Sequence, residues 1–226
     1  MKLLMIAPPG AGKGTQGRLI ADHFRIPLIA AGELLREHVA RGTELGRAVR
    51  GYLDQGELVP DEIVLNMVRE ALISAEATGG EYVLDGVPRT IEQARAIYTI
   101  GVQLGMIPNV ALHLQANDEE LVRRLLTRAS DERRPDDTEE VIRRRLDLYH
   151  SVTEPIVAWY GRRGILVCVD AMGPVEQVGR DILAALEAMQ PTVEYVPEQL
   201  RRTVDLTGLD TAFGHSATNR RGQADR

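Results

Sequence analysis

Short runs of consecutive apolar residues alternate along the chain with longer stretches whose apolar positions recur at helical spacing. Leu3-Leu4-Met5-Ile6-Ala7 is the first short run, and Pro8-Pro9-Gly10 ends it. Tyr82-Val83-Leu84, Val110-Ala111-Leu112-His113-Leu114 and Ile165 to Val169 are the others. Runs this brief predict strands buried on both faces, as in a parallel sheet. Between them, Thr15 to Phe24, Asp61 to Ala75, Thr90 to Leu104, Asp118 to Arg128, Thr138 to Tyr160 and Pro174 to Met189 predict helices. Each begins close to an Asp, Thr or Pro, the residue types suited to a helix start. The alternation predicts an α/β class, three-layer fold with a parallel sheet flanked by helices, as one domain over residues 1–190.

Composition narrows the function classes. The 226 residues are 44% hydrophobic and 27% charged, ordinary globular values, with a net charge of −6. That balance argues against a general phosphate-backbone binder, so no nucleic-acid partner is expected, although a local basic cluster can still grip a small anion. No run approaches the ~18 apolar residues that span a bilayer, and the first run is shorter than a signal-peptide core. A cytoplasmic protein with no membrane partner is expected. Cys168, the single cysteine, permits no internal disulfide and no Cys-rich zinc site. The tail, residues 191–226, is polar, with few large apolar residues. It is expected to be disordered, with a short helix near Glu198 to Arg202.

The strongest chemical signal is Gly10-Ala11-Gly12-Lys13-Gly14-Thr15, placed where the first strand turns into the first helix. Unpaired N–H groups at a helix start carry partial positive charge, so a Gly-rich loop there can wrap an anion. Lys13 adds a point charge for the outer phosphates, and Thr15 a hydroxyl that can reach phosphate or Mg²⁺. The pattern departs from the Walker A form at Ala7, which stands at the first position, and at Gly14, which separates Lys13 from Thr15. The Pro-Gly-x-Gly-Lys-Gly-Thr variant is the form that nucleoside monophosphate kinases use.

From these residues onward the chain resembles the adenylate kinase family, over residues 1–190 and in its short-lid form. The resemblance implies a P-loop fold with a small helical insertion for the monophosphate at about 30–59 and a short lid at about 129–137. Ala31-Gly32-Glu33-Leu34-Leu35-Arg36 matches the segment that opens the monophosphate region, with Ala31 beside the acceptor base and Arg36 on the acceptor phosphate. Glu57, Leu58 and Val59 belong to the segment that closes over that base. Asp85-Gly86-Val87-Pro88-Arg89, followed by Gln93, resembles the family's Asp-Gly-aromatic-Pro-Arg…Gln signature. Val87 stands there for the aromatic residue. Asp85 would position hydrated Mg²⁺ near the phosphate loop, Arg89 would bind the acceptor phosphate, and Gln93 would meet a base edge.

The resemblance extends to a cluster of arginines. Arg124 matches the residue against the donor adenine, while Arg128, Arg134 and Arg145 match catalytic arginines; Asp136-Asp137 fits the lid signature. Arg133 is one register from Arg134. Glu139 to Arg143 and Glu140 to Arg144 have the i,i+4 spacing of ordinary surface ion pairs. Gly173 matches the loop whose backbone touches the donor base.

What this implies is a monomeric phosphotransferase whose partners are small nucleotides: ATP with Mg²⁺ as donor and a nucleoside monophosphate as acceptor, with no zinc. AMP is the expected acceptor. A UMP/CMP kinase is the alternative, because Ala30-Ala31-Gly32-Glu33 is closer to the pyrimidine enzymes while Gln93 points to AMP. From another class, a nucleotide-binding regulatory protein without catalysis would account for Ala7, Ala31 and Val87.

Overall fold

The computed structural model describes residues 1–132 and 138–189, with backbone alone at residues 128 and 130–132. All of these belong to one unit of the chain. The lid signature and the tail lie outside the described residues.

Five strands form one parallel sheet: β1 (Lys2–Ile6), β2 (Leu28–Ala30), β3 (Tyr82–Asp85), β4 (Val110–Gln115) and β5 (Leu166–Asp170), in the order β2-β3-β1-β4-β5. The crossovers are helical: α1 (Lys13–Phe24) leads to β2, and α2 (Ala31–Ala40), α3 (Glu44–Gln55) and α4 (Asp61–Glu76) lead to β3. Next come α5 (Ile91–Leu104) before β4, and α6 (Asp118–Glu132), α7 (Glu139–Leu148) and α8 (Pro155–Gly161) before β5; α9 (Val175–Ala188) follows. Side chains alternate across each strand, and β1 displays the result. Leu3 and Met5 enter one core with Ile20, Leu112 and Ile182, while Leu4 and Ile6 enter the other with Leu72, Leu84 and Ile97. Water is excluded from both faces, which is why the strand reads as an unbroken apolar run.

The sheet confirms the α/β expectation, with two differences in its elements, the strand β2 and a divided helix after Thr138. The three-residue β2 was not predicted; it is an edge strand following Pro27, too short for a period to show. The region 30–59 contains two separate helices, α2 and α3. They approach so closely that a Cβ on Gly46 would lie 2.1 Å from the His38 carbonyl oxygen, so only glycine fits. The single helix expected from Thr138 to Tyr160 is divided. Thr138 does cap α7, its Oγ1 accepting from the Val141 N–H at 3.3 Å. A π turn, Tyr149–Thr153, then separates α7 from α8. Pro155 has no N–H to donate into the preceding turn, and the Glu154 N–H bonds the Tyr149 carbonyl at 2.8 Å instead. The widened turn brings Tyr149 and Thr153 to the cleft described next.

Candidate nucleotide cleft

Parallel strands direct all their carboxyl ends to one edge, where α/β folds bind ligands. Here β1 ends at the glycine-rich loop, β2 at Ala31 and β3 at Asp85, around a cleft of about 460 Å³.

The loop is shaped by two glycines with left-handed backbone, Gly10 and Gly12, both at φ +87°. Gly12 caps α1, and its carbonyl accepts from the Gln16 N–H at 2.9 Å. Gly10 also lies against α6: a Cβ there would meet Leu125 Cγ at 2.9 Å. Lys13, the first residue of α1, donates from Nζ to the Ala7 carbonyl at 2.6 Å and lines the cleft with Gly14 and Thr15.

Arg36, Arg89 and Arg145 line the same cleft. Arg36 folds back over Gly32, and Arg145 packs beside Gly56, at the end of α3. Arg89 is braced on its own turn, Nε donating to the Gly86 carbonyl at 2.9 Å. Arg89 has its pKa lowered by desolvation first; Arg145 and Arg36 lower it further, and Asp85 opposes them. Three guanidiniums converging on one space repel one another and favour an anion between them.

Gln93 is held from both sides: Oε1 accepts from the Arg89 backbone N–H at 2.7 Å, and Nε2 donates to Asp61 Oδ1 at 2.6 Å. Asp85 Oδ1 is buried and makes no hydrogen bond. On the far wall Arg124 donates from Nη1 to Ala171 O at 2.9 Å, from Nη2 to Met172 O at 3.1 Å, and from Nε to Glu120 at 2.7 Å. Glu120, bonded by Arg123 and Arg124, has its pKa lowered to about 2. Arg124 thereby ties the 171–172 turn to α6.

Comparison with known proteins agrees with this geometry. The family model described as adenylate kinase matches residues 5–165. The chain belongs to the adenylate kinase family. The adenylate kinase of Thermobifida fusca is 43% identical over 188 residues, covering 83% of this chain and 99% of that protein. Those of Kocuria rhizophila and Maricaulis maris are 45% and 44% identical, covering 82% and 83% of this chain and 98% and 99% of theirs.

Within this adenylate kinase fold, the cleft collects most of the residues expected from sequence. Gly10, Gly12, Lys13, Gly14 and Thr15 meet Ala31, Arg36, Glu57, Leu58 and Val59 across it, with Asp85, Gly86, Pro88, Arg89, Gln93, Arg124 and Arg145 completing the lining. Ala11, Val87 and Gly173 do not line it; Ala11 and Val87 are buried, Val87 in the core that holds Leu4 and Ile6. The side chain of Arg128 and all of Arg134 lie outside the described residues.

Two relationships were not anticipated. Arg143 pairs with Glu139 at 2.7 Å as the spacing predicts, but Arg144 turns away from Glu140 and bonds Glu57. Asp61 read as a helix start and as the end of the segment from Gly56, with no partner assigned, yet it holds Gln93. Both are contacts between residues remote in sequence, for which no local pattern exists. Tyr149 and Thr153 were missed as cleft residues because the π turn that aims them was read as plain helix. Among the described residues, no group of three or more His, Cys, Asp or Glu is arranged to hold a metal, and no helix is long and apolar enough to cross a membrane.

Proposed function

We propose that this chain catalyses reversible phosphoryl transfer from ATP to AMP, giving two ADP, as a monomer in the cytoplasm. The observation that carries the reading is that one cleft is lined both by a glycine-rich loop with Lys13 and by Arg36, Arg89 and Arg145. Both groups suit phosphate, and their sharing of a single cavity suits transfer between two phosphate chains. The name shared by the relatives favours AMP over a pyrimidine acceptor.

In this reading the loop amides and Lys13 hold the donor's phosphates, while Arg36 and Arg89 hold the acceptor phosphate in line. Arg145, with Arg128 and Arg134, neutralises charge on the transferred group. Catalysis is positioning and electrostatics, with no covalent enzyme intermediate. The donor base lies against Arg124 and the turn leading to Gly173; the acceptor base lies between Ala31, Val59 and Gln93. Exclusion of water from the cleft during transfer would deliver the phosphoryl group to AMP and not to hydrolysis.

The residues fit a divalent cation. Asp85 Oδ1 is a buried oxygen acceptor without a protein partner, and hard cations take oxygen donors, often through water. Asp85 and Thr15 would hold Mg²⁺ with the nucleotide's phosphates. When bound, the ion supplies charge neutralisation on those phosphates.

Coupled measurement of ADP formation from ATP with AMP, CMP, UMP, dAMP or GMP tests the proposal. AMP is expected to give the highest kcat/KM. Preference for CMP or UMP would favour the alternative, and no turnover with any monophosphate would favour a regulatory role.

A further inference from the structure

Gln93 lines the cleft although it is only 2% exposed, and the protein engages both ends of its amide. The Arg89 backbone N–H, which can only donate, meets Oε1, and the Asp61 carboxylate, an acceptor, meets Nε2. Reversing the amide would set N–H against N–H and oxygen against carboxylate, two repulsive contacts in place of two hydrogen bonds. A primary amide has two N–H groups and two lone pairs. One N–H and one lone pair therefore remain, in a fixed sense. Asp61 opens α4 immediately after Gly56–Pro60, so the residue that orients Gln93 adjoins the segment proposed for the acceptor.

We propose that Asp61 is a specificity-determining positioning residue: by holding the Gln93 amide in one sense, it selects the hydrogen-bonding edge of the acceptor base. An acceptor anchored by its phosphate presents its base in one orientation. The fixed amide then matches a base that pairs a ring-nitrogen acceptor with an exocyclic amino donor, as adenine and cytosine do. Hypoxanthine, guanine and uracil present the reverse order, a ring N–H beside a carbonyl, and would need the amide turned over. Size discrimination between adenine and cytosine falls to the surrounding walls, and edge discrimination to Asp61 acting through Gln93. This inference rests on the proposed placement of the acceptor base against Gln93.

AMP and IMP provide the test, because their bases share one shape and differ in this edge. The parent enzyme, Asp61→Asn, Asp61→Ala, Asp61→Glu and Gln93→Ala are compared by kcat/KM for AMP, IMP and CMP. Where turnover of IMP is too slow to follow, calorimetric Kd values for AMP and IMP supply the ratio. Asparagine can donate as well as accept, and alanine does neither, so both remove one of the two constraints on the amide. The AMP-to-IMP preference is expected to fall about tenfold in each, the scale of one hydrogen bond to a charged group, while AMP-to-CMP stays as in the parent. Asp61→Glu, which keeps a carboxylate, is expected to retain more of the AMP-to-IMP preference. A merely structural defect would lower all acceptors together and leave the ratios alone. If Gln93→Ala lowers AMP efficiency but Asp61→Asn and Asp61→Ala keep the parent's AMP-to-IMP ratio, the role of Asp61 is overturned and the base placement stands. If Gln93→Ala leaves AMP efficiency unchanged, the base does not lie there, and both fail.

Discussion

Arg144 of α7 donates to the carboxylate of Glu57, 87 residues earlier in the chain, and so joins α7 to the segment proposed to close over the acceptor base. The two side chains are 56% and 38% exposed. An ion pair this open contributes at most about 1 kcal/mol to folding. Its effect belongs to the position of the Gly56–Pro60 segment. Arg144→Ala is expected to leave the thermal midpoint nearly unchanged, raise the KM for AMP several-fold and leave the KM for ATP unaltered. Steady-state kinetics in both substrates alongside a melting curve checks this.

Lys13→Ala removes a cation from the start of α1. The fold does not depend on it, since the core beneath is built from Leu3, Met5 and Ile20. Turnover is expected to drop by about three orders of magnitude, consistent with losing a transition-state charge contact of several kcal/mol. Circular dichroism should be unchanged, and near-parental turnover would reject the assignment.

Gly46→Ala places a methyl 2.1 Å from the His38 backbone oxygen, where no side chain can yield. Helices α2 and α3 must separate, at a cost of about 1–3 kcal/mol. A lowered urea midpoint is expected together with weaker AMP binding, because Arg36 rides on α2.

His150 binds Asp118 through Nε2 and Glu154 through Nδ1, both at 3.0 Å. Hydrogen bonds from Glu154 first and Asp118 next raise its pKa. The folded value exceeds the unfolded one, about 6.5. Its stabilisation is therefore complete below that value and is lost as pH rises through the folded pKa. In denaturant titrations, His150→Gln is expected to lower the midpoint more at about pH 5.5 than at about pH 8.5. Equal losses at both pH values would show that the ring acts through packing alone.

Arg124→Ala frees the 171–172 turn, which the guanidinium holds through two carbonyls. A several-fold rise in the KM for ATP is expected, with little change in the KM for AMP.

The layers of the fold were legible because β1, β3 and β4 are buried on both faces, which forces compact apolar runs into the sequence. The loop from Gly10 to Thr15 was legible for a local reason as well: the phosphate binding proposed for it would use consecutive backbone groups. What could not be read has a common physical origin. Strand β2 is three residues long and takes its identity from its pairing with β3. The break between α7 and α8 depends on how Pro155 redistributes hydrogen bonds across the preceding turn. The partners of Arg144 and Gln93 are Glu57 and Asp61, chosen by the closure of the acceptor segment rather than by helical spacing. The arginines illustrate the same division: Arg143 follows the i,i+4 rule, and its neighbour obeys tertiary geometry.

Leu125 and Arg124 are consecutive residues of α6, yet they contact two different loops. Leu125 packs on Gly10 in the loop proposed for the phosphates, and Arg124 grips the turn proposed for the base. Their α-carbons are about 3.8 Å apart, a distance set by the peptide bond. The loop after β1 and the turn after β5 are thus both held by neighbouring residues of one helix, so a displacement of α6 carries the two contacts together.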